Sequence, residues 1–111
     1  MRLIAAGLSF RTAPLAVREA AAIPAARAAT TLRYLVGHAG LLGAAVLSTC
    51  NRTDFYVVCP DNLSAEVTPR LARYLDPGGT RGLERHMVTL EDRDAAEHMF
   101  RVCLLYTSGG D

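Results

Sequence analysis

Seven consecutive residues, Ser48-Thr49-Cys50-Asn51-Arg52-Thr53-Asp54, set a thiol among hydroxyl, amide, guanidinium and carboxylate groups at the end of an apolar run. Each neighbour suits nucleophilic attack on an ester. A thiolate is intrinsically a strong nucleophile, and a nearby cation such as Arg52 or a protonated histidine raises its ionised fraction near neutrality. Thr49 and Asn51 could hold a carbonyl or amino group of a substrate, and Arg52 could pair with a carboxylate in a two-bond fork. A free cysteine is also commonly a small buried filler, and this pattern alone leaves both readings open.

The elements that must position this stretch follow from apolar periodicity. Residues 2–9 read as a first strand ending at Gly7-Leu8-Ser9, with alanines that lower its strand propensity. Pro14 opens a short helix toward Ala22, because proline suits a first helical turn, and Pro24 ends that segment. From Ala25 to Val36 the residues Ala28, Ala29, Leu32, Leu35 and Val36 recur at helical spacing, with Arg27, Thr31 and Arg33 turned away and Gly37 as the cap. Residues 43–49 form a short apolar run of strand length. Residues 53–59 carry the strongest strand signal, apolar on both faces through Phe55, Tyr56, Val57 and Val58, as expected of a central strand. Asn51-Arg52 lacks the glycine of a tight hairpin, so Cys50 falls at an irregular junction between two strands.

A further helix runs to Leu75, and Pro69 within it predicts a late start or a kink. Asp76-Pro77-Gly78-Gly79 is a breaker. Residues 87–90 read as a last strand, and Asp92 as the N-cap of a final helix from Arg93 onward. The order predicts an α+β fold: a ferredoxin-like split βαβ sandwich whose antiparallel sheet has its helices packed on one face.

Composition bounds the function classes. The 111 residues suffice for one modest core. The formal charge is +1, and all twelve basic residues are arginine, which gives no broad nucleic-acid signal, although clustered arginines can bind phosphate locally. Three cysteines, Cys50, Cys59 and Cys103, fit neither a disulfide framework nor a paired-cysteine zinc site, so reduced thiols and no metal are expected. No apolar run reaches the roughly 18 residues of a membrane span, and the start lacks a secretory pattern. The expected setting is the cytoplasm.

Three segments carry a family resemblance. Gly7-Leu8-Ser9-Phe10-Arg11-Thr12-Ala13-Pro14-Leu15 with Val17-Arg18-Glu19 resembles the opening of glutamyl-tRNA reductases. Val46-Leu47-Ser48-Thr49-Cys50-Asn51-Arg52-Thr53 resembles their nucleophile signature, and His98-Met99-Phe100-Arg101-Val102 a third family segment. The matches stand in family order over about the first 102 residues. The resemblance implies that Cys50 attacks the ester joining glutamate to its tRNA, giving a thioester that NADPH reduces to glutamate-1-semialdehyde, the precursor of 5-aminolevulinate and tetrapyrroles. It implies substrate recognition by Thr49, Asn51 and Arg52, and a role for His98 as proton donor or organiser of the thiol, where the bland alternative is a solvent-facing helix histidine. His38 and His86 match nothing and are expected at the surface.

Departures from the family accompany these matches. Phe10 stands where the family usually has histidine, and Asp54 where glutamate is common. Residues 1–102 are expected to form an incomplete N-terminal substrate-binding and catalytic domain, and residues 103–111 a tail that leaves the family pattern, as in a truncated or chimeric reading frame. No Gly-x-Gly-x-x-Gly phosphate loop occurs, so an NADPH domain is expected to be missing from this chain. The family's homodimer is built by a further domain, which makes a monomer the expectation here. Two competing readings are a non-catalytic α/β module that binds RNA or a regulator through an arginine-bearing face, and an inactive truncated product.

Overall fold

The computed structural model describes the backbone of residues 1–107 and the side chains of residues 1–102. Its elements are β1 (Arg2–Ser9), α1 (Leu15–Ala21), α2 (Ala25–Gly37), β2 (Gly43–Ser48), β3 (Arg52–Cys59), α3 (Val67–Leu75), α4 (Leu83–His86), β4 (Val88–Glu91) and α5 (Asp92–Thr107), with a 3₁₀ segment (Asp61–Glu66) before α3. The four strands form one sheet in the order β2-β3-β1-β4. Each neighbouring pair is antiparallel, with Ala5 opposite Tyr56, Ala6 opposite Phe55, and Ala45 in turn opposite Tyr56. The chain leaves β1, crosses through α1 and α2, and returns as β2 on the far side of β3. It then leaves β3, crosses through α3, and returns as β4 on the far side of β1. These two interlocked split βαβ units are the ferredoxin-like arrangement read from the element order.

Strand alternation builds the core. On β1 the side chains of Ile4, Ala6 and Leu8 share a face, and on β3 those of Phe55, Val57 and Cys59. Ile23, Leu35, Leu41, Val67 and Leu71 pack over this face and join one buried cluster with it. Leu8 continues the layer against Ala13, Val17, Ala21 and Leu83. Burying each of the large members contributes roughly 1.5–3 kcal/mol.

The expected placement of the helices needs one refinement. The crossover helices do lie on one face, but α5, which follows the last strand, covers the other: Ala95 is buried against Ala5 and Tyr56, with Met99 beside them. The single-face picture comes from counting only the helices that cross between strands. β3 is consequently central and covered on both sides, as its apolar run implied.

Local departures have local causes. Thr31, expected to face solvent, is buried, and its hydroxyl shares a 3.0 Å hydrogen bond with Tyr74 Oη, whereas Val36 is exposed. Gly37 ends α2 but does not cap it; His38 does, and the left-handed turn falls at Gly40 with φ +79°. Pro69 sits in the first turn of α3, where its missing N–H would have had no helical partner, so the late start after the 3₁₀ segment is the expected one. Asp92 heads α5 at φ +50°, and its carboxylate accepts hydrogen bonds from the Leu3 amide and Arg2 Nε, fastening the helix to β1. No helix among the described residues is long and apolar enough to cross a membrane. In the tail expected to depart from the family, the α5 backbone runs to Thr107, while the side chains from Cys103 and the structure of residues 108–111 lie outside the described residues.

Candidate active cleft

The second face of the sheet is where polar side chains gather. Its strand positions alternate with the core residues: Ala5, Gly7 and Ser9 on β1, Arg52, Asp54 and Tyr56 on β3, Val88 and Leu90 on β4. α5 lies over the lower part of this face. Between them opens a cleft of about 420 Å³, walled by those β1 and β4 residues, Arg52, Asp54, Arg11, Thr12, and His98, Arg101 and Val102 of α5. On the wall of the cleft Gly7 has no side chain. A Cβ there would collide with the Asp54 carboxylate and with Thr53 O, so glycine lets the Asp54 side chain lie across β1.

Charge inside the cleft is unbalanced. Arg52 Nε lies 3.1 Å from Asp54 Oδ2, close enough for an ion pair but not aligned as a hydrogen bond, so this buried oxygen has no hydrogen-bond partner among the described residues. Burial lifts the Asp54 carboxyl to about 6 against the opposing pull of Arg52. A guanidinium carries five N–H donors, and this single loose contact leaves several for a ligand. Arg11 and Arg101 add two more cations on the cleft wall. Three guanidiniums against one carboxylate make the cleft attractive to an anion, above all a carboxylate that Arg52 could bind in a fork.

His98 is placed by a hydrogen bond of 2.9 Å between its Nδ1 and Tyr56 Oη. Burial first, then Arg52 and Arg101, hold its pKa below the usual histidine value. Near neutrality the ring is therefore uncharged. Tyr56 is itself buried beside Ala5 and Ala95, which fixes the hydroxyl that orients the ring.

The turn bearing the thiol adjoins this cleft. Residues 49–51 link β2 to β3: the Thr49 amide donates to Arg52 O at 2.8 Å, and the Asn51 amide to Thr49 Oγ1 at 3.2 Å. Ser48 Oγ bridges the Ile23 amide and Thr53 Oγ1, each at 2.9 Å, tying the strand ends to the α1–α2 junction. The Phe10 amide donates to Asn51 O at 2.9 Å, which joins the turn to the loop carrying Arg11 and Thr12. Phe10 thus serves through its backbone, and its exposed ring carries the Arg11 guanidinium 5.2 Å from its centroid. Cys50, at the centre of the turn, is exposed. Cys59 is the buried thiol, one of the core cluster, and burial raises its pKa.

A family model described as glutamyl-tRNA(Glu) reductase, N-terminal domain, matches residues 6–105. This chain belongs to that family. Among curated relatives, the glutamyl-tRNA reductase of Microcystis aeruginosa is 36% identical over 104 residues, which are 92% of this chain and 24% of the relative. That of Marinobacter nauticus is 36% identical over 102 residues, with the same coverage. The solved glutamyl-tRNA reductase from Methanopyrus kandleri superposes with a TM-score of 0.67 at 22% identity, over 90% of this chain and 21% of that one, and shows the shared fold. The chain thus spans about a quarter of the length of the curated relatives it matches.

Within this glutamyl-tRNA reductase domain, the five residues singled out from sequence divide into two groups. Arg52 and His98, 46 positions apart, meet in the cleft, whereas Thr49, Cys50 and Asn51 form the turn at its end and are not among its walls. Arg11 and Arg101 lie inside the family segments, yet nothing in the sequence pattern gave them a role, and Ser9, Thr12 and Tyr56 join the site only through the fold. The period-2 spacing of Arg52, Asp54 and Tyr56 was a usable signal, masked by reading the strand as apolar on both faces. His86 lies at the surface, partly covered, and its Nδ1 is 3.0 Å from Thr12 O, which holds the Arg11–Thr12 loop against α4. His38 is exposed, as expected. Among the described residues no group of three His, Cys, Asp or Glu side chains is gathered for a metal.

Proposed function

We propose that this chain performs the substrate-binding and thioester-forming part of the glutamyl-tRNA reductase reaction in tetrapyrrole biosynthesis. The observation that carries the reading is the pairing of an exposed thiol, Cys50, with Arg52, two residues on, which projects into an anion-attracting cleft. Arg52 would hold the glutamyl side-chain carboxylate, with Arg11 and Arg101 adding positive potential. The Cys50 thiolate would attack the ester carbonyl. The new C–S bond replaces the C–O bond to the terminal ribose, whose oxygen leaves with a proton as free tRNA. Thr49 and Asn51, flanking the nucleophile, would contact the reacting carbonyl or the amino group. Neutral His98, oriented by Tyr56, is able to take or deliver a proton within the cleft.

The reductive half of the reaction, with NADPH as hydride donor, is part of the proposal for the whole enzyme and is assigned to no residue here. An all-antiparallel sheet offers no strand, glycine loop and helix to cradle a dinucleotide, so the described residues do not fit that cofactor. The same reading includes a cytoplasmic setting, glutamyl-tRNA as partner, and a monomeric state for this chain, the family dimer being formed by another domain. The test is incubation with tRNA charged with labelled glutamate, followed by assay for a thiol-labile protein adduct. The expected result is an adduct in the parent, its loss in Cys50→Ser, and its strong reduction in Arg52→Ala. Equal labelling of parent and Cys50→Ser protein overturns the nucleophile assignment.

A further inference from the structure

Asp54 is a carboxylate that the reaction steps above leave unused. It is 5% exposed and lies on β3 opposite Gly7, where any added side chain would collide with its carboxylate. Its Oδ2 stands 3.1 Å from Arg52 Nε, and no described residue donates a hydrogen bond to it. The other charged or titratable groups around the cleft are Arg11 from the loop after β1, and His98 and Arg101 from α5. β4 contributes only Val88 and Leu90 to the same walls.

The guanidinium of Arg52 has two edges that can meet a carboxylate, and Asp54 stands at the Nε edge. A ligand carboxylate entering the cleft therefore meets the Nη edge and shares one cation with Asp54. Two carboxylates held this way are roughly 4–6 Å apart, a range in which like charges screened from water oppose each other's ionisation. Of the two, Asp54 is the one to lose its charge. Burial already holds its carboxyl at about 6, whereas a glutamate side chain in water ionises near 4.3. The geometry of the contact suits such a release. An ion pair built only to fix Arg52 would align Nε–H on the carboxylate, but here the contact is close and unaligned, so the guanidinium is free to turn toward a ligand.

We propose that Asp54 is the positioning residue of Arg52: it holds the guanidinium in the unliganded cleft and yields it to a ligand carboxylate by taking up one proton from solvent. Binding of the carboxylate and protonation of Asp54 are then a single linked event. The only bond made is the O–H of Asp54, and the proton returns to water when the ligand leaves. Affinity is accordingly greatest at mildly acidic pH and weakens as pH rises through the range in which Asp54 ionises. The inference rests on the reading of Arg52 as the residue that grips the glutamyl carboxylate.

The experiment uses the whole chain and glutaric acid monomethylamide, a probe with one carboxylate and neither an amino group nor a nucleotide. The carboxyl carbon of Asp54 is followed by NMR from pH 4.5 to 8, with and without saturating probe. Its titration midpoint is expected to rise by about one pH unit, a tenfold tighter hold on the proton. The probe's Kd should correspondingly weaken about fivefold to tenfold between pH 5.5 and pH 8. In Asp54→Asn that dependence should vanish, leaving one affinity across the range, whereas a merely structural role would lower affinity equally at every pH and keep its slope. Arg52→Ala should abolish binding. Circular dichroism melts establish that each variant is folded, and if Asp54→Asn is not, the parent's midpoint with and without probe decides. An unchanged midpoint under saturating probe, or an unchanged pH slope in Asp54→Asn, overturns the proton exchange and leaves carboxylate binding by Arg52 standing. No binding by the parent, or equal binding by Arg52→Ala, overturns both.

Discussion

The two faces of the sheet are built from the same two central strands yet have opposite chemistry. On β3, Phe55, Val57 and Cys59 are fully buried in the main core, while the alternate residues Arg52, Asp54 and Tyr56 wall or support a polar cleft. On β1, Ile4, Ala6 and Leu8 face the core while Ala5, Gly7 and Ser9 floor the cleft. A period of two lets a single strand be scaffold and site at once, with rigid core packing holding each functional residue one position away. The contrast extends to the thiols: Cys59 is filler in the core, and Cys50 stands exposed beside the cleft.

The largest effect should come from breaking the core face. Phe55 has no exposed surface, so Phe55→Ala is expected to cost about 3–5 kcal/mol, measured by urea unfolding, through lost burial and the cavity left behind. A loss below about 1 kcal/mol would mean that the two faces are less distinct than described.

On the cleft face the sign should reverse with pH. Asp54 titrates near 6 in the fold, above the ordinary aspartate value of 3.8, so the folded state binds the proton more tightly than the unfolded one. Stability from this group is fully present below about pH 4 and is lost as pH rises toward 6 and beyond. The loss is on the order of 2–3 kcal/mol, since each tenfold difference in proton affinity between the folded and unfolded states is worth about 1.4 kcal/mol. Asp54→Asn removes that dependence. The variant should therefore gain on the parent as pH increases from 4 to 7, read as a widening difference in denaturant midpoint. A constant difference across that range would contradict the burial assigned to Asp54. His98 acts in the opposite sense: its pKa is lowered, so its contribution is present above the ordinary histidine value and is lost on acidification.

The smallest expected change is Tyr56→Phe, which removes the hydrogen bond to His98 Nδ1 while keeping the buried ring. The cost should be about 1 kcal/mol. His98 should still titrate below the usual histidine value by NMR, because burial, Arg52 and Arg101 are unchanged. A return to the ordinary value would show that the tyrosine hydroxyl, rather than the surroundings, sets the charge state.

Much of the fold was legible from local pattern. Strands β1, β2 and β3, the helices α2 and α3, and the split βαβ order all followed from apolar period, proline position and glycine breaks, because those signals act within a few residues. The four-residue α4 is too short to show a period and leaves no such signal. The side of the sheet taken by α5 was also beyond local pattern. An amphipathic helix at a chain's end states that one of its faces is buried, not which surface will bury it. Thr31 illustrates the same limit, since its polarity suggested solvent while a tyrosine 43 positions later supplied its buried partner.

The candidate site divides along the same line. Residue types alone marked Thr49, Cys50, Asn51 and Arg52, because a thiol between a hydroxyl, an amide and a guanidinium is a contiguous pattern, and three ordered segments assigned the chain to its family. Only tertiary structure brought Arg11, Asp54, His98 and Arg101 around Arg52, gave Asp54 its raised pKa, and left Cys50 exposed while burying Cys59. Sequence determines which groups are available and the alternation that sorts them to two faces. Which groups meet, and how much water they keep, depends on strand pairing and on the docking of α5, contacts between residues far apart in the chain that no local pattern specifies.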